Sequence, residues 1–119
     1  MKYGFGIDLG GTTVKIAYFD ETGAMLDKWE IPTRRENGGE SIIPDIADAV
    51  NRYRKEKEIA DEDLLGIGIG VPGAVVNGVV NRCVNLGWGI VPIEEELSRL
   101  TGLPVKASND ANVAALGEY

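Results

Sequence analysis

DLGGTTVK, residues 8–15, joins two stretches that each repeat with a period of two. Before it, Tyr3, Phe5, Ile7 and Leu9 share one face of a strand, and Gly4, Gly6 and Asp8 share the other. After it, Val14, Ile16 and Tyr18 stand opposite Lys15, Ala17 and Phe19. Alternation on both sides of Gly10-Gly11 predicts a β-hairpin with one core face. The other face is nearly bare, with space above it, and Asp8 stands in that space. A second turn, Asp20-Glu21-Thr22-Gly23, leads to a third strand at 25–32, so three consecutive antiparallel strands open the domain.

The first turn carries more than a connection needs. Successive backbone N–H groups in a glycine turn can point into a concavity that binds anions. Gly10 and Gly11 supply the turn, Thr12 and Thr13 add hydroxyls, and Lys15 adds positive charge. Asp8 can hold Mg²⁺ directly or through water, because magnesium keeps several waters and uses few carboxylates. An ordinary hairpin turn would use the same residues, and spacing alone does not choose between the two.

Downstream, residues 33–40 are polar and glycine-rich and predict a loop. A helix follows at 41–57, with Ile43, Ile46, Val50 and Tyr53 as its buried stripe and Arg52, Arg54, Lys55 and Glu56 mostly outside it. Pro44 falls in its first turn, where a missing N–H costs little. LLGIGIGV, 64–71, is an almost continuous apolar run that predicts a central strand buried on both faces. In AVVNGVVN, 74–81, Asn77-Gly78 between valines is a strong hairpin signal. Residues 82–91 read as irregular, and Trp88 reads as an anchor for that loop. A helix from 92 to 100 starts at Pro92, faces Ile93, Leu97 and Leu100 to the core, and stops at Gly102 and Pro104. A short strand at 105–108 precedes Asn109-Asp110, which opens a last helix. The order predicts an α/β domain: a mixed sheet, antiparallel then parallel, with helices packed on it.

Composition excludes several classes. The chain has 119 residues, enough for one domain with a core, and is 44% hydrophobic and 26% charged. Its net charge of −7 disfavours nucleic acid and anionic membranes as main partners. One cysteine, Cys83, and no histidine leave no disulfide framework and no zinc site within this chain. With no signal-peptide pattern at its start and no stretch long enough to span a bilayer, the chain reads as cytoplasmic.

Two other glycine motifs fail. GIGVPG, 68–73, has the G-x-G-x-x-G spacing, but the dinucleotide fingerprint needs a helix directly after it, and here an Asn-Gly hairpin follows. A P-loop would need G-K-[ST], which is absent. Asn109 and Asp110 suit a helix N-cap. Asp110 also follows a strand's carboxyl end, where it could accept a proton from a substrate hydroxyl. Asn85 is either a turn residue or a partner for a sugar hydroxyl, since amides donate and accept.

In order along the chain, DLGGTTVK, VPGAV (71–75), NLGW (85–88) and NDANVAALGE (109–118) resemble segments of the sugar kinases of the ROK family, and of its glucokinases in particular, within the actin-like/hexokinase ATPase superfamily. The resemblance spans essentially the whole chain and implies a ribonuclease H-like (actin-like ATPase) fold. It implies Asp110 as general base, a sugar held by Gly73, Asn85, Asn109 and Asp110, and ATP phosphates facing Gly10, Gly11, Thr12 and Thr13, with Lys15 close by and Asp8 near Mg²⁺. Family members carry a second, larger lobe and often a zinc site, neither of which these residues supply. Residues 1–119 are therefore expected to be the N-terminal lobe of a longer, homo-oligomeric kinase, inactive alone. Glucose is the expected sugar, with N-acetylmannosamine and fructose as alternatives and polyphosphate as an alternative donor. A sugar-sensing ROK regulator and a non-catalytic sugar-binding domain are the competing classes.

Overall fold

The computed structural model describes residues 2–73, 75–83 and 88–109. Three strands open it: β1 (Tyr3–Leu9), β2 (Thr13–Asp20) and β3 (Met25–Pro32). A short helical turn, α1 (Glu36–Gly39), precedes the long helix α2 (Ile42–Glu56). Next come β4 (Leu64–Gly70), a small meander of β5 (Val75–Val76), β6 (Val79–Cys83) and β7 (Trp88–Val91), the helix α3 (Ile93–Thr101) and β8 (Val105–Ser108).

The main sheet has the order β3-β2-β1-β4-β8. β1, β2 and β3 are antiparallel, while β4 runs parallel to β1 and β8 parallel to β4. This is the mixed sheet that the sequence predicts, and β4 is its central parallel strand. All of β4 except Leu65 is buried. Ile67 and Ile69 lie beside Phe5 and Ile7, so the apolar rows of β1 and β4 form one face. Gly66, Gly68 and Gly70 lie beside Gly4, Gly6 and Asp8 on the other.

The helices pack on the apolar face. Tyr53 of α2 sits among Phe5, Tyr18 and Trp29, with ring centroids 5.9, 4.9 and 4.7 Å away. Ile46, Val50, Ile93 and Leu97 are fully buried there, each contributing about 1.5–3 kcal/mol against exposure to water. The Trp88 indole N–H donates to the Gly39 carbonyl at 3.1 Å, which ties β7 to the end of α1 and bears out Trp88 as an anchor.

Two predicted turns have the required backbone. Asn77 and Gly78 both adopt positive φ, 52° and 79°, as a two-residue hairpin turn of the primed type demands. Gly102, at φ 73°, closes α3 by donating its N–H to Ser98 at 2.7 Å.

Elsewhere the structure corrects the sequence reading. Residues 88–91, read as irregular, form a strand because Trp88, Ile90 and Val91 find partners across β6. Within the predicted 33–40 loop, Glu36–Gly39 makes a helical turn closed by a Gly39-to-Arg35 hydrogen bond of 3.0 Å. Pro92 precedes α3 as its cap instead of filling its first position. Leu100 is 38% exposed, and Thr101 occupies the buried place, its hydroxyl donating to the Leu97 carbonyl at 2.8 Å. Arg54, expected outside the packed face, is tucked between α2 and α3, donating to the Thr101 carbonyl and pairing with Asp61. The expected last helix lies outside the described residues.

Candidate functional site

Because β1, β4 and β8 are parallel, their carboxyl ends meet at one edge of the sheet. The register aligns Asp8 with Gly70 and Gly70 with Ser108. Adjacent strands lie about 4.8 Å apart, which puts the ends of β1 and β8 about 10 Å from each other. The Val71 N–H donates to the Ser108 carbonyl at 2.8 Å and carries the ladder beyond β4. Three segments leave this edge together: the turn at Gly10, Val71-Pro72-Gly73, and Ser108-Asn109. Ligands of open α/β sheets bind outside such an edge.

The Gly10 turn is held from two sides. Gly10 donates its N–H to the Thr13 carbonyl at 3.0 Å. Thr33, just past β3, donates its N–H to the Thr12 carbonyl at 2.9 Å and its hydroxyl to the Gly10 carbonyl at 2.8 Å. Two of the turn's carbonyls are thereby drawn back toward β3. The amides of Gly11 and Thr12 have no partner among the described residues. A Cβ on Gly10 would lie 2.8 Å from the Thr13 oxygen, so the turn closes this tightly only with glycine.

Beside the turn, Asp8 and Lys15 face each other across β1 and β2. Both are exposed, and both line a cavity of ≈ 600 Å³ on the sheet face opposite α2. Gly6, Ala17, Lys28 and Glu30 are among its other walls. The space expected above the bare face of β1 is therefore present. Among the described residues no group of three or more Cys, Asp or Glu could hold a metal by itself. A cation here would take Asp8 as its protein partner and fill its shell with water and ligand oxygens, which suits magnesium.

Of the predicted site residues, Asp8, Gly10, Gly11, Thr12, Thr13 and Lys15 come together at the turn and the strands it joins. Gly73 and Asn109 leave the same sheet edge. Asn85 and Asp110 lie outside the described residues. Thr33 was not legible in the sequence, because its role exists only once β3 has returned beside the turn.

A family model described as the ROK family matches residues 4–119. The chain belongs to the ROK family. Among its relatives, the glucokinase of Halalkalibacterium halodurans is 44% identical over 115 residues, which are 95% of this chain and 35% of that protein. The xylose repressor of Caldicellulosiruptor bescii is 31% identical over 115 residues, 95% of this chain and 29% of that protein. The solved structure of a ROK glucokinase from Streptomyces griseus, in complex with glucose and AMPPNP, superposes with a TM-score of 0.77 at 32% identity. That match covers 98% of this chain and 36% of the other. The ROK chain described here thus has the α/β actin-like ATPase fold and spans about a third of the length of these relatives.

Proposed function

We propose that this chain is the N-terminal domain of an ATP-dependent ROK hexose kinase that phosphorylates glucose. The observation that carries the proposal is the shared sheet edge, where the Gly10 turn and the segment leading to Asp110 emerge two strands apart. One segment is built for an anion, the other ends in a carboxylate, and the spacing between them suits a sugar and a triphosphate tail.

In this reading the free amides of Gly11 and Thr12, with the Thr12 and Thr13 hydroxyls, hold the ATP phosphates, and Lys15 adds charge. Asp8 would hold Mg²⁺, directly or through water, and the bound ion would supply charge neutralisation for the phosphoryl transfer. Asn85, Asn109 and the backbone at Gly73 orient the sugar. Asp110 takes the proton from the attacking hydroxyl as that oxygen bonds to the γ-phosphorus and the bond to the ADP oxygen breaks. Phosphoryl transfer needs positioning and charge neutralisation more than covalent help, and this division of labour meets that need. The reading carries a cytoplasmic location, an inactive isolated domain and self-association of the full protein. No described helix is long and apolar enough to cross a membrane.

The test is Asp110→Ala in the full-length protein, assayed by coupled ADP release with glucose. The rate is expected to fall by at least about 100-fold with the melting temperature maintained. Activity close to wild type would remove Asp110 from the mechanism, and a loss of stability alone would make it a helix cap. A second reading, a sugar-sensing regulator, is favoured by the repressor among the relatives. Glucose binding without ADP release from the full-length wild type would establish that reading instead.

A further inference from the structure

β8 is an edge strand, and its hydrogen-bonding groups alternate in direction. The carbonyls of Pro104 and Ser108 point at β4, where Ile67 and Val71 donate to them at 2.8 Å each. The groups of Ala107 therefore point away from the sheet. The Ala107 N–H is met there by a side chain from α3: Glu94 Oε2 accepts it at 2.8 Å. The other half of that carboxylate lies against the β5–β6 turn. Gly78, at φ 79°, leaves the room, and a Cβ on it would stand 2.5 Å from Glu94 Oε1. The Glu94 backbone N–H also donates to the Gly78 carbonyl at 3.2 Å. One residue thus joins the free edge of β8 to the turn of the hairpin.

These two elements lead to the two halves of the proposed sugar site. β6 ends two residues before Asn85, and Ala107 stands two before Asn109 and three before Asp110. We propose that Glu94 is a positioning residue for sugar binding: by accepting the Ala107 N–H while seated on Gly78, it sets the strand that delivers Asn109 and Asp110 against the hairpin that delivers Asn85. This rests on the sugar-kinase reading above. Glu94 touches neither sugar nor phosphate in this role. It needs an acceptor oxygen at a fixed reach, not a charge.

The experiment uses the full-length protein and four forms of residue 94: wild type, Glu94→Gln, Glu94→Asp and Glu94→Ala. Glucose affinity is measured by titration calorimetry without nucleotide, the KM for ATP by the coupled assay, and the fold by thermal melting. Glutamine keeps an oxygen at the same reach and should bind glucose within about threefold of wild type. Aspartate is one methylene short and alanine has no acceptor; both should weaken glucose binding about tenfold or more, with the KM for ATP little changed, since small displacements in a site are costly. Glucose binding by the Ala form equal to wild type would overturn the proposal. So would a Gln form as impaired as the Ala form, or a Glu94→Ala chain that does not fold. If wild type itself binds no glucose, the sugar-kinase reading fails; if wild type binds and all four forms agree, only the role of Glu94 fails.

Discussion

The hydroxyl of Thr33 donates to the carbonyl of Gly10 at 2.8 Å, across 23 residues of sequence. With the Thr33 N–H on Thr12, this contact fixes both carbonyl-bearing corners of the turn from the far end of β3. A glycine turn is flexible, and an anion site made of backbone amides works only if those amides already point together. Thr33 supplies that order without itself facing the cavity.

Thr33→Val tests this. Valine keeps the volume and the backbone N–H but loses the hydroxyl, leaving the partly buried Gly10 carbonyl short of a donor, which costs about 1–3 kcal/mol. In the full-length protein the KM for ATP should rise by about tenfold and the melting temperature should fall by a few degrees, while glucose affinity changes little. Unchanged ATP kinetics would show that the turn is ordered without Thr33.

Asp8→Asn probes the other side of the turn. The amide keeps the size and removes the charge proposed to hold Mg²⁺. The Mg²⁺ concentration for half-maximal rate should rise by about tenfold or more, in line with losses seen when residues around a bound metal are changed. Titrating Mg²⁺ at saturating ATP measures it. Because Asp8 is exposed at the end of β1, stability should be nearly unaffected.

What could be read before the structure follows from the range of the interactions. Tyr3–Leu9 and Thr13–Asp20 each alternate and are joined by their own turn, so the hairpin and its bare face were legible. Asn77-Gly78 and Gly102 act within four residues, and both were legible as well. The turn proposed to bind an anion is contiguous in sequence, so its members could be named together. Strand β7 was missed because Gly89 interrupts its alternation and its pairing partner lies several residues away across β6. Leu100 and Arg54 were misplaced for a related reason. Each belongs to the contact between α2 and α3, and helical periodicity says which residues share a face but not which neighbour arrives there. There the Asn51 amide and the Arg54 guanidinium donate to the carbonyls of Leu100 and Thr101 at the end of α3, and Thr101 takes the buried place.

Gly66→Ala should destabilise the fold at the β4–β8 contact. Gly66 adopts φ 147°, and a Cβ on it would stand 2.6 Å from the Pro104 carbonyl oxygen, the acceptor for the Ile67 N–H. The clash is with backbone, so β8 must move away or its first hydrogen bond must break. Together with the unfavourable dihedral, a loss of at least about 1–3 kcal/mol is expected in urea denaturation. Since β8 carries the chain to Asn109, glucose affinity should fall as well. A variant as stable as wild type would mean that β4 and β8 separate at no cost.

Alkaline pH should unfold the domain through its aromatic cluster. Tyr18 is buried at 6% exposure, and burial, with the neighbouring Tyr3, Tyr53 and Asp63, raises its pKa from 10.0 to about 12. Burial also raises Tyr53 to about 12, helped by the hydrogen bond its hydroxyl donates to Asp27 at 3.2 Å. In both cases the folded protein holds the proton more tightly than the unfolded chain does. Their contribution is therefore complete below the unfolded pKa of about 10 and is lost as pH rises through about 12. Melting temperature should be flat up to about pH 9 and then fall steeply, in step with tyrosinate absorbance. Tyr18→Phe should shift that fall upward in pH, because one of the two titrating hydroxyls is gone. The rings pack at 4.9 Å, so the two phenols titrate as a coupled pair and Tyr53→Phe should act in the same direction. A melting temperature that stays level to about pH 12 would show that the tyrosines can ionise without leaving the core.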